Sequence, residues 1–116
     1  MDNNVEKEVV MGSDIFRGYM NTIILCSLLD GNKFGEEIFE YLNARSGGRF
    51  PAKLPTIYSA LSRLEQKGCI NSYWGGGEAR GGRRKYYSLT ELGKEIADQG
   101  IKEWEYSRTI IDSLIL

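Results

Sequence analysis

Cys69-Ile70-Asn71-Ser72-Tyr73-Trp74 and Lys85-Tyr86-Tyr87-Ser88-Leu89, joined by Gly75-Gly76-Gly77-Glu78-Ala79-Arg80-Gly81-Gly82-Arg83-Arg84, form the stretch on which the fold turns. Aromatic and other β-favouring residues fill the two outer runs, so each reads as a strand. The connection is too long and too glycine-rich for a tight hairpin, which predicts a flexible wing. Arg80, Arg83, Arg84 and Lys85 make that wing basic, as a loop that meets phosphates or enters a minor groove must be. Taken alone, the pattern fits a mobile surface loop equally well. The elements that precede it decide between the two.

Upstream, Pro55 suits the first turn of a helix, where its missing N–H would be unpaired anyway. From Thr56 to Lys67 the sequence separates into two faces. Ile57, Leu61 and Leu64 fall on one side; Thr56, Ser59, Arg63 and Gln66 fall on another, and Gly68 follows at the C-cap position. The polar face is short-chained at its start and basic further on, which suits close approach to DNA, although an ordinary solvent face has the same look. Two helices come before it. Ile15, Phe16, Tyr19, Met20, Ile23, Ile24, Leu28 and Leu29 recur at three- and four-residue spacing up to the turn Asp30-Gly31-Asn32. The second helix is predicted from about Gly35 to Arg45, with Ile38, Phe39, Tyr41 and Leu42 inward and Ser46-Gly47-Gly48 as its stop.

Beyond the wing, Thr90 is a suitable N-cap and Glu91 a suitable first-turn acid for a last helix running almost to the C-terminus. Its apolar positions, Leu92, Ile96, Ile101, Trp104, Ile110, Ile111, Leu114 and Ile115, exceed what three helices and a hairpin can cover. The surplus predicts a second copy of the chain. The expected architecture is mainly α with a two-stranded wing (α+β). It divides into a flexible segment over residues 1–14, a winged helix-turn-helix over 15–90 and a C-terminal dimerisation helix over 91–116.

At 116 residues there is room for one domain with a modest core. No run approaches the roughly 18 apolar residues that span a bilayer, and the acidic start lacks the features of a signal peptide, so a cytoplasmic protein without a membrane partner is expected. The chain has no histidine, and Cys26 and Cys69 lie far apart. Zinc-finger spacing, a redox Cys-x-x-Cys pair and Cys/His catalysis therefore have nothing to be built from, and no metal or cofactor is expected. Nucleophile-elbow, phosphate-loop and dinucleotide motifs are absent from the sequence, and an enzyme is not expected. The net charge of −1 conceals a segregation: residues 43–85 hold nine bases against Glu65 and Glu78, a local +7, while the segments on either side are acidic. Such a patch is what phosphate neutralisation needs.

With these elements in order, the wording of the sequence resembles the PadR-like family of transcriptional regulators, in its short subfamily. The resemblance is carried by Arg17–Leu25, Phe34–Ile38, Pro55–Gly68, Ser72–Gly75 and above all Gly81-Gly82-Arg83-Arg84-Lys85-Tyr86-Tyr87-Ser88-Leu89-Thr90-Glu91-Leu92-Gly93. It implies a sequence-specific DNA-binding regulator, a repressor acting as a homodimer on an inverted repeat of double-stranded DNA. The third helix would enter the major groove and the wing would touch the backbone or minor groove. Lys53, Thr56, Tyr58, Ser59 and Arg63, with Gly82, Arg83, Arg84 and Lys85, are the DNA-binding residues this implies. Many members have Gly where this chain has Pro55 and Pro where it has Ser59, so the start of the recognition helix differs here. The resemblance further implies dimer contacts through Phe16, Tyr19, Ile23, Ile101, Trp104, Ile111 and Leu114. Multidrug-binding members place a tryptophan corresponding to Trp104 in an apolar pore between subunits, which implies an aromatic or cationic effector touching Trp104, Tyr19 and Ile101. Packing of Trp104 in the interface without a ligand, and a winged helix that serves as a protein-interaction module, remain the alternatives.

Overall fold

The computed structural model describes residues 13–76 and 82–116. The expectations for residues 1–12 and for the wing tip, including Arg80 and Gly81, fall outside the described residues. The chain order is α1 (Ser13–Ser27), β1 (Lys33–Phe34), α2 (Gly35–Arg45), α3 (Leu54–Gln66), β2 (Ile70–Gly75), β3 (Arg84–Leu89) and α4 (Glu91–Ile115). Ser13 and Asp14, counted above with the N-terminal segment, begin α1.

Phe16, Met20, Ile24 and Leu25 of α1 meet Ile38 and Leu42 of α2 and Ile57, Ala60, Leu61 and Leu64 of α3 in one core. Ile70 and Tyr87 close it from the sheet side. Helical pairing in α1 stops at Ser27, before Leu29, for a local reason. The Ser27 hydroxyl donates to the Ile24 carbonyl at 2.6 Å, and the Lys33 ammonium donates to the Ser27 carbonyl at 2.6 Å and to Asp30 at 2.7 Å. A cation thus satisfies the helix C-terminus where the negative end of its dipole lies. Ile15 and Leu29, counted above in the apolar repeat of the first helix, are exposed.

The sheet has three antiparallel strands in the order β1-β3-β2, one more than the two-stranded wing. Lys33 pairs with Tyr87 and Phe34 with Tyr86, so the two residues of β1 tie the α1–α2 connection to the wing. The Phe34 N–H then donates to the Glu37 carboxylate at 3.1 Å, which satisfies one of the unpaired donors at the start of α2. After α3, Gly68 takes a positive φ of 81°, and the Cys69 N–H reaches back to the Leu64 carbonyl at 2.9 Å, as the sequence-based C-cap requires. Thr90 caps α4 by accepting from the Gly93 N–H at 3.0 Å while its hydroxyl donates to the Gly68 carbonyl at 2.6 Å. Among the described residues no helix is long and apolar enough to cross a membrane.

Candidate nucleic-acid interface

The core holds α3 by Ile57, Ala60, Leu61 and Leu64, which leaves Thr56, Ser59, Arg63 and Gln66 exposed along its opposite side. Lys53, immediately before the helix, is exposed as well. Pro55 lies in the first turn, as its missing N–H favours. Of the residues expected on this helix, Tyr58 behaves differently from its neighbours. Its ring lies against Gly35 at the start of α2, where any Cβ would collide with it. Partial burial and the nearby negative charge of the Glu36 carboxylate hold Tyr58 above the ordinary tyrosine range. The tyrosine therefore bridges α3 to α2 and still keeps 41% of its surface exposed.

The wing stands beside this helix. Gly82 has a positive φ of 79°, a turn conformation that suits glycine, and leads directly into Arg83. The Arg83 guanidinium lies over the Trp74 ring at 5.5 Å and that of Arg84 over Phe34 at 5.1 Å, whereas Lys85 is exposed. Phe34, Tyr86 and Tyr73 make a row of rings on the sheet, Phe34 meeting Tyr86 edge to face at 5.4 Å and Tyr73 stacked on Tyr86 at 5.5 Å. Between wing, α2 and α3 an open cleft of about 440 Å³ is lined by Glu36, Tyr58, Trp74, Arg83, Arg84 and Lys85. Of the residues expected from the sequence reading to bind DNA, Tyr58, Arg83, Arg84 and Lys85 line this cleft, whereas Lys53 and Thr56 border a separate hollow beside Phe16, Arg17 and Met20, and Ser59, Arg63 and Gly82 line neither. Glu36, Gly35 and Trp74 escaped that reading. Their signal was weak, because a helix-start glycine and one acid on a polar face carry no chemistry in isolation.

A second feature lies between α1 and α4. An apolar groove of about 280 Å³ is lined by Tyr19, Thr22, Ile23, Cys26, Ile101 and Trp104. Tyr19 and Trp104 meet edge to face at 5.2 Å, and Trp104 keeps 45% of its surface exposed. Burial pushes the Cys26 thiol up, so it stays protonated at neutral pH. The residues expected at a dimer contact separate into two settings. Phe16, Tyr19, Ile23, Ile101 and Trp104 line the groove, and Ile111 and Leu114 are exposed further along α4. Phe16 also packs edge to face on Phe50 at 5.2 Å and keeps 6% of its surface exposed, so it forms the floor where the groove meets the core.

Three helices with a basic, open third-helix face beside an antiparallel wing define a winged-helix protein of the nucleic-acid-binding class. The chain belongs to the transcriptional regulator PadR-like family, whose sequence profile matches residues 24–99. A transcriptional regulator from Clostridium thermocellum is 36% identical and superposes with a TM-score of 0.84 over 92% of this chain and 100% of its own. A PadR family transcription regulator from Clostridium difficile is 33% identical, with a TM-score of 0.75 over 85% of this chain and 100% of that one. Bacillus subtilis PadR, solved in complex with operator DNA, is 27% identical with a TM-score of 0.63, covering 71% of this chain and 46% of its own.

Proposed function

We propose that this PadR-family regulator represses transcription as a homodimer on an inverted repeat, with α3 in the major groove and the wing on the neighbouring backbone or minor groove. The observation that carries the reading is the exposure of Thr56, Ser59 and Arg63 on α3 together with that of Arg83 and Lys85 on the wing. Short polar side chains at the start of α3 let the helix approach base edges, and Lys53 with the wing cations neutralises flanking phosphates. That the Bacillus subtilis relative was solved bound to operator DNA supports DNA as the partner. In a gel-shift titration on the promoter upstream of its own gene, Arg83→Ala with Arg84→Ala weakens binding by about ten-fold and lowers the slope of log affinity against log salt by about two. Unchanged affinity and slope remove the wing from the interface.

The dimer reading is supported by the exposed apolar residues of α4, from Trp104 through Ile110, Ile111, Leu114 and Ile115. The groove at Tyr19 and Trp104 is the proposed seat of a planar aromatic or cationic effector, because an edge-to-face aromatic pair bordering apolar walls offers a stacking surface. With Trp74→Phe leaving Trp104 as the one tryptophan, planar aromatic cations quench its fluorescence saturably; a panel without saturation rejects the effector site.

A further inference from the structure

Residues alternate between the two faces of a strand, so Ile70, Ser72 and Trp74 of β2 share a face with their partners Leu89, Tyr87 and Lys85 on β3. That face is the inward one, since Ile70 and Tyr87 are buried in the core. Trp74 occupies the same inward register yet is 59% exposed. Ile70 and Tyr87 pack into the helical core, and further along the strands the indole of Trp74 borders the open cleft instead. Arg83, one residue before β3, places its guanidinium over that indole.

We infer that Trp74 is a DNA-contacting residue, with the sugar–phosphate backbone entering the cleft, a deoxyribose packing on the indole and the adjacent phosphate meeting Arg83. The inference rests on the DNA-binding reading above and adds a residue and a contact to it. Charge selects the occupant. Among the described residues, Arg83, Arg84 and Lys85 line the cleft against one acid, Glu36, whose carboxylate lies near Tyr58. An apolar segment of a second protein would meet three cations there, whereas a nucleic-acid backbone offers an apolar sugar to the ring and an anion to each cation. The cleft is also continuous with α3 through Tyr58, so one duplex reaches both surfaces. Stacking on the ring restricts the Arg83 guanidinium before DNA arrives, which lowers the ordering cost of the contact.

The test uses a labelled mixed-sequence duplex of about thirty base pairs at low salt, because a backbone contact is independent of sequence. Trp74→Ala lowers its affinity about five-fold and Trp74→Phe lowers it less. The losses of Trp74→Ala and Arg83→Ala do not multiply in the double variant, since each removes the other's partner. Circular dichroism establishes that the variants fold. Should Trp74→Ala unfold, Trp104→Phe isolates the Trp74 emission, which changes saturably as duplex is added. Wild-type affinity in Trp74→Ala, multiplying losses, or an emission indifferent to duplex overturns the inference while leaving the regulator reading intact. A wild-type protein that binds no duplex overturns both.

Discussion

Gly93 and Gly100 show how single residues seat α4 on the rest of the molecule. A Cβ on Gly93 would run into the Cys69 carbonyl, and one on Gly100 into the side chain of Thr22. The Cys69 carbonyl is fixed, because it already accepts the Thr90 N–H at 3.0 Å. Gly93→Ala must therefore displace backbone, at a cost of about 2–3 kcal/mol. Gly18, also helical, has open space around its Cβ position, so Gly18→Ala is expected to stabilise by up to about 1 kcal/mol. Thermal melting of the two variants side by side measures the contrast; equal midpoints would mean that α4 is not held at Gly93. Gly35 is the intermediate case. Its Cβ would meet the ring of Tyr58, which is partly exposed and can swing aside, so the loss there falls on the link between α2 and α3 more than on the fold.

Elements with a full hydrophobic period were legible in the sequence, and those defined by their partners were not. The α3 helix announced itself through Pro55, the Ile57-Leu61-Leu64 stripe and Gly68, each of which acts locally. The wing strands carried their own aromatic composition. The β1 strand has two residues, too few for any period, and becomes a strand only because the β3 backbone lies beside it. The end of α1 depended on Lys33, whose ammonium reaches back six positions and also lies over the Tyr41 ring at 4.4 Å. Composition could not foretell which of several lysines would do this. In the site, the polar face of α3 and the wing cations were legible as residue types. The Tyr58–Glu36 link needed the packing of α2 against α3 to be known first. Trp74 was visible to the period of two that places it with Ile70, but its exposure follows from where the helices stop, a fact of tertiary structure.

At the scale of the molecule, the charge map and the apolar map occupy different ends of the chain. The bases gather at α3 and the wing, and the uncovered apolar surface gathers toward the C-terminal end of α4, where Leu114 is 76% exposed. If that surface joins two copies, Ile111→Glu with Leu114→Glu shifts the protein to monomer in sedimentation equilibrium and weakens binding to a two-half-site operator far more than to a single half-site. A variant that sediments as wild type places the contact elsewhere. The residues that fix the start of α4 give this arrangement a mechanical character. Thr90, Gly93, Ala97 and Gly100 clamp the helix to the domain that carries α3, so the two turn as one rigid arm. An arm of 25 residues is about 37 Å long, and a tilt of about 5° at its far end carries the reading head through about 3 Å, close to the ~3.4 Å spacing of bases along a strand. Were two copies to pair through the far ends of their α4 helices, a change of about 5° in that contact would be enough to throw α3 out of register with its half-site.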